Sequence, residues 1–215
     1  MVAFLAWMDV TTTYLLAALA GLMTGAGLII AIGPQNVYVI RQGVAGVYVL
    51  PVIAVCVVSD IILISAGTAG LGSVVSAHPT AVTVAKYLGG GYLMILAVLA
   101  ARRAMRPAAG HERSEPGRAV GLWTALGTAA ALTWLNPHTY LDAVLTLGSI
   151  ANSHGGARWS FTLGACIASL IWFLMLGFGA KRMAPLFASA RAWRVLDTAI
   201  AVVMASLGAV LVIGA

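Results

Sequence analysis

The sequence predicts an all-α polytopic membrane protein with six transmembrane helices, arranged as a 3+3 inverted repeat in which helices 1 and 4 are broken. Three observations predict it. Of the 215 residues 61% are hydrophobic and 8% charged, and the apolar residues fall in blocks of bilayer-crossing length. The cations gather in a few short loops. Two apolar blocks are interrupted by a proline flanked by amides.

Apolar windows taken in order place helices at about 13–40, 47–72, 81–101, 119–150, 157–180 and 194–214. The N-terminal block has no basic residue ahead of it and no obvious cleavage site, so a retained helix is expected and not a signal peptide. Within the first helix "GLMTG" (21–25) is a GxxxG pattern, which predicts close helix packing. In the third, "LGGGYL" (88–93) reads as a hinge or a close contact. In the sixth, Asp197 follows Arg194 by three positions, the spacing of a local helix-surface pair. The segment "RPAAGHERSEPGR" (106–118) marks the one linker. The chain is thus divided into a first three-helix repeat (1–101), an Arg-rich cytoplasmic linker (102–118) and a second three-helix repeat (119–215).

Charge sets the orientation. Arg41 follows the first helix; Arg102, Arg103, Arg106, Arg113 and Arg118 follow the third; Lys181, Arg182, Arg191 and Arg194 follow the fifth. With six spans these loops share one side, leaving Lys86 and Arg158 for the other. The positive-inside rule makes that side cytoplasmic and puts both termini outside. The net charge of +6 is accounted for by orientation, and nucleic acid is not an expected partner. Five spans with the N-terminus inside is the alternative, if helix 1 or 4 behaves atypically. Cys56 and Cys166 lie in apolar runs with no CxxC pair, so no disulfide framework, metal site or cofactor is predicted.

Shifted by about 110 residues, the second half echoes the first. "CVVSDIILISAG" (56–67) lies over "CIASLIWFLMLG" (166–177), aligning Cys, Ser and Gly positions, and Met94 lies over Met204. At a slightly smaller offset Pro34 lies over Pro137. Three spans per half is odd, so the halves would have opposite membrane orientations. Inverted repeats with matching interrupted helices point to a transporter's central site.

The breaks carry the chemistry. In "AIGPQN" (31–36) Gly33 ends one half-helix and Pro34 begins the next, since proline is tolerated at the first helical position. In "NPH" (136–138) Asn136 is the expected N-cap and Pro137 the first residue. Each restarted half-helix presents free N–H groups and a partial positive charge, a place for a carboxylate. Gln35, Asn36 and His138 add polar groups at the same points. Asp60, near the middle of helix 2, and Asp142, about 1.5 turns past Pro137, are intramembrane carboxylates. Each costs roughly 3 kcal/mol to insert and is a candidate site residue on that ground. They are read as partners for a cationic substrate group or a proton. Trp134 and Trp172 are candidates for stacking on a flat cation, with packing as the more frequent role.

The stretches "AIGPQNVYVIRQG", "VCVVSDIILISAGTAG", "LTWLNPHTYLDAV", "LGSIA" and "ASLIWF…GFGA" resemble the lysine exporter family, the basic amino-acid efflux transporters of bacteria. The resemblance spans all six helices, and the "NPH-x-YLD" form looks closest to the arginine branch. It implies a protein of the bacterial cytoplasmic membrane that exports L-lysine or L-arginine using the proton-motive force, a transporter and not an enzyme. By position it carries the family's intramembrane aspartates onto Asp60 and Asp142, and its polar motif residues onto Gln35, Asn36 and Asn136. The expected partners are the basic amino acid, protons and the bilayer, with a homo-oligomer left open. Two rivals stand beside this: a membrane thiol–disulfide carrier using Cys56 and Cys166, and an exporter of neutral amino acids.

Overall fold

The computed structural model describes residues 2–30, 33–71, 77, 79–105, 121–185 and 189–213. Every regular element among them is helical. In order these are α1 (Val2–Ile29), α2 (Pro34–Ala45), α3 (Val49–Ala66) with a π-type turn (Gly67–Leu71), α4 (Pro79–Met105) and α5 (Leu122–Trp134). They continue with α6 (Pro137–Tyr140), a second π-helical segment (Leu141–Leu147), α7 (Gly148–Ser153), a short 3-10 turn (Gly155–Ala157), α8 (Arg158–Arg182) and α9 (Ala190–Ile213).

Among the described residues five stretches are long and apolar enough to cross a membrane: Val10–Ile29, Val49–Leu71, Lys86–Met105, Gly155–Arg182 and Arg191–Ile213. They match five of the six expected spans. The remaining one, expected at 119–150, is not a single helix. It is divided at Leu135–Asn136 into the 13 residues of α5 and the helical run that restarts at Pro137, and neither piece alone has the roughly 20 residues a plain span needs. The first helix also differs from expectation: α1 starts at Val2, and its last residue, Ile29, precedes Gly33. Of the expected linker, 102–105 belong to α4 and 106–118 lie outside the described residues.

The chain packs as two compact units, each drawing on both halves of the sequence. The first comprises 1–31, 57–82 and 139–172; the second comprises 32–56, 83–138 and 173–215.

In the first unit α1 turns a small-residue face inward and a large one outward. Ala17, Gly21 and Gly25 are buried, whereas Leu15, Leu16, Leu19 and Met23 are exposed. Lipid tails are as apolar as leucine, so association rests on close packing and on hydrogen bonds. Both are present. A Cβ on Gly21 would collide with the Phe161 backbone, and one on Gly164 with that of Ala18, so α1 and α8 meet backbone to backbone and the expected GxxxG contact is borne out. Around it Leu63, Ile64, Val144, Leu147 and Phe161 form the core. Thr68 Oγ1 and Thr162 Oγ1 lie 2.6 Å apart within it, and Thr68 also donates to the Ile64 carbonyl.

The two π segments share a cause. A Cβ on Gly67 would lie 2.8 Å from Val144 Cα, and one on Gly148 2.7 Å from Gly67 Cα. Two backbones this close leave no room for side chains. The extra residue in each turn lets the helices continue past the contact, and Gly70, with φ of 109°, ends the first of them in a conformation that glycine adopts without penalty.

The second unit centres on Val37, Leu93, Ala97, Ala100, Ile200 and Met204. Gly90 of the triple-glycine stretch faces the Gly208 carbonyl, 3.0 Å from the position of a Cβ, so that stretch makes a close contact between α4 and α9.

Candidate functional site

At the first break Gly33 is the N-cap of α2, with φ −101° and ψ 173°, and Pro34 is the first helical residue. The Val37 N–H donates to the Gly33 carbonyl, 3.2 Å. This backbone is extended and a Cβ at Gly33 would meet open space. Neither conformation nor packing within the described residues demands glycine there. Asn36 is buried and Gln35 half-buried. The Gln35 Nε2 is buried with no hydrogen-bond partner among the described residues, an unused donor beside the helix start.

At the second break Asn136 is buried, and its Oδ1 accepts from the His138 backbone N–H at 3.1 Å. This is the cap geometry expected of asparagine before proline. His138 is half-buried. Both helices therefore restart where the prolines predict.

The two expected carboxylates are in different settings. Asp60 is 7% exposed, and the Ser169 hydroxyl donates to its Oδ2 at 2.7 Å. Ser169 is the residue that the shift of about 110 residues lays over Ser59. Asp142 is half-buried on the π segment Leu141–Leu147, on the stretch whose Val144 abuts Gly67.

The sequence does not announce a second buried carboxylate, Asp197. Asp197 does not make the local pair with Arg194 that its spacing suggests. Its side chain is 2% exposed, and its Oδ1 accepts from Arg41 Nη2 at 3.0 Å and from Arg103 Nε at 3.2 Å. One carboxylate thus ties α2, α4 and α9 together. The Arg41 guanidinium also lies 5.6 Å from the centroid of the Trp193 ring, within cation–π range. Burial lowers the Arg41 pKa below its ordinary value, while Asp197 draws it back up. The available signal was an aspartate inside an otherwise apolar span, the same signal that singles out Asp60.

Beside this cluster the second unit has a partly open cavity of about 160 Å³, lined by Pro34 and Tyr38 of α2, Leu132 of α5 and Met204 of α9, together with Arg41 and Arg103. The Tyr38 hydroxyl donates to the Ala125 carbonyl at 3.2 Å and accepts from Gln42 Nε2 at 2.9 Å. Cys56 is buried and Cys166 half-buried, and neither is in a disulfide. No cluster of His, Cys, Asp and Glu suited to a metal occurs among the described residues.

Several apolar helices, paired proline breaks and carboxylates buried in spans define a multi-pass transporter-type membrane protein. The comparisons with known proteins give the family. The family model for LysE type translocators matches residues 26–215, and the chain belongs to that family. It is similar to Rv0488 of Mycobacterium tuberculosis, a protein named for amino-acid transport, with 44% identity over 184 residues, 86% of this chain and 90% of that protein. It is 36% identical to the lysine exporter LysE of Corynebacterium glutamicum, covering 88% of this chain and 95% of that one. It is also 36% identical to the arginine exporter ArgO of an Enterobacter species, covering 86% and 87%. No solved structure matches the chain. These relatives are named as exporters and transporters, not enzymes, and a multi-pass protein of the bacterial cytoplasmic membrane fits both the family and the helices.

Proposed function

We propose that this protein is a secondary active exporter of L-lysine, L-arginine or both, working by proton antiport with alternating access. The observation that carries the reading is the family match over residues 26–215, with relatives named for lysine and arginine export. Asp60 supports it: a buried carboxylate whose hydrogen-bond donor is a neutral hydroxyl has no counter-ion among the described residues, which suits it to a cationic ligand or a proton. In this reading Asp60, with Asp142, receives the ammonium or guanidinium end, and the half-helix starts at Pro34 and Pro137 receive the α-carboxylate. Gln35, Asn36, Asn136 and His138 supply hydrogen bonds at those starts. Moving one net positive charge outward against an inside-negative potential costs about 2.3 kcal/mol per 100 mV. Entry of protons in exchange offsets that cost.

The make-up of the two units supports an inverted repeat. The first unit contains α1, the end of α3, the segment from Thr139 and the start of α8. The second contains the counterparts these would have under the repeat: α5, the end of α8, α2 and the start of α3, joined by α4 and α9. Gly67 and Gly177, aligned by the repeat, also behave alike. Each packs against the segment that follows a broken helix, Gly67 at Val144 and Gly148, Gly177 at Gly43.

Export of neutral amino acids is the second reading, because the relative at 44% identity is named only for amino-acid transport. Uptake of labelled L-arginine, L-lysine and L-leucine into inverted vesicles under an imposed pH gradient separates the two. Gradient-dependent accumulation of the basic amino acids is expected. Accumulation of leucine alone would contradict the substrate assignment, and equal uptake without a gradient would contradict antiport.

A further inference from the structure

The cavity of the second unit has a charge imbalance that the transport reading does not use. Arg41 and Arg103 both line it, and they share one carboxylate, Asp197, through a single oxygen. Two guanidiniums against one aspartate leave one positive charge uncompensated at the cavity wall. Arg41 also has a spare donor: its Nη2 is committed to Asp197, but its Nε is buried with no hydrogen-bond partner among the described residues. The Tyr38 hydroxyl is already engaged on both sides. The other walls, Val37, Leu96, Ile200 and Met204, are apolar. An anion entering this space would exchange water for two fixed guanidiniums in low-dielectric surroundings, where charge-assisted hydrogen bonds are strongest. A single negative charge neutralises the site, whereas a dianion would leave it over-compensated. The volume of about 160 Å³ suits part of a small molecule and not a large cofactor.

We propose that this cavity is a carboxylate-binding station, in which the α-carboxylate of the transported amino acid docks between Arg41 and Arg103. Asp197 serves as a positioning residue that holds the two guanidiniums facing the cavity. The proposal rests on the transport reading for the identity of the ligand, and adds a second anion site to the half-helix starts. Because Arg41 and Arg103 belong to the arginine-rich side, this station is the one an amino acid meets from the cytoplasm.

The test compares an amino acid with its decarboxylated amine, using the full-length protein in phosphatidylcholine vesicles. L-arginine and agmatine are the probes. Arg103→Gln is expected to weaken L-arginine binding about tenfold, the worth of one charge-assisted hydrogen bond, and to leave agmatine within about twofold. Arg103→Lys, which keeps the charge, is expected to recover part of the loss. Arg41→Lys is the second variant and is expected to behave like Arg103→Lys. Equal weakening of both probes would mean a structural role and overturn the proposal, as would unchanged L-arginine binding in Arg103→Gln. A lipid headgroup is the competing occupant. If added phosphatidylglycerol displaces L-arginine from the wild type but not from Arg103→Gln, the site belongs to lipid and the proposal falls. If the wild type binds leucine and not L-arginine, the substrate assignment fails separately. The same comparison, leucine against its decarboxylated amine, then decides the station.

Discussion

Asp60 and Asp197 are both aspartates buried within spans, one in each unit, and their surroundings assign them opposite tasks. Asp60 is met by a neutral hydroxyl, Ser169, and has no counter-ion among the described residues. Asp197 is met by two guanidiniums, and its charge is already spent on holding three helices. A carboxylate in a membrane is therefore a candidate for transport only in proportion to what its neighbours leave unsatisfied. Burial alone does not separate the two.

The largest expected difference between them is in stability. Asp197→Asn leaves Arg41 and Arg103 facing each other without their counter-ion. It should destabilise the protein by roughly 2 kcal/mol, less than for a fully buried pair because both arginines are partly exposed. Thermal unfolding in detergent would read this as a lowered Tm. Asp60→Asn should shift Tm far less, since an amide still accepts from Ser169. Equal shifts would erase the contrast between the units.

A smaller loss is expected at the second break. Asn136→Ala removes the acceptor for the His138 N–H and should cost about 1 kcal/mol, whereas Asn136→Asp should keep most of the cap. Unfolding midpoints of the two variants check this. At the bottom of the scale, changing both Cys56 and Cys166 to alanine should leave arginine uptake at the wild-type rate. Loss of uptake would favour the thiol–disulfide rival.

Local chemistry explains what the sequence disclosed. Proline at a first helical position and asparagine as a cap act within a few residues, so Pro34, Asn136 and Pro137 marked both helix restarts. Gly21 and Gly25 announced a tight helix contact by spacing alone. Asp60 stood out as a charge in an apolar run. Asp197 carried the same signal, but Arg194 offered a nearby partner three residues away, and the true partners are 156 and 94 residues distant. The cations of the loops account for orientation by their distribution, and nothing local shows that Arg41 and Arg103 also pair with Asp197. The π segments left no trace because they depend on Gly67 and Gly148 meeting backbone to backbone, a tertiary event. The division of the fourth expected span was legible only in part: "NPH" gave the restart, but the apolar count on either side suggested one long helix.

Asp60, held by Ser169 and paired with no cation among the described residues, is the residue we propose to handle the moving charge. The direct measurement is uptake of labelled L-arginine into inverted vesicles carrying Asp60→Asn, at protein levels and Tm matched to the wild type and under an imposed pH gradient. Gradient-driven accumulation is expected to be abolished while the protein stays folded. Accumulation at the wild-type rate would contradict that role for Asp60.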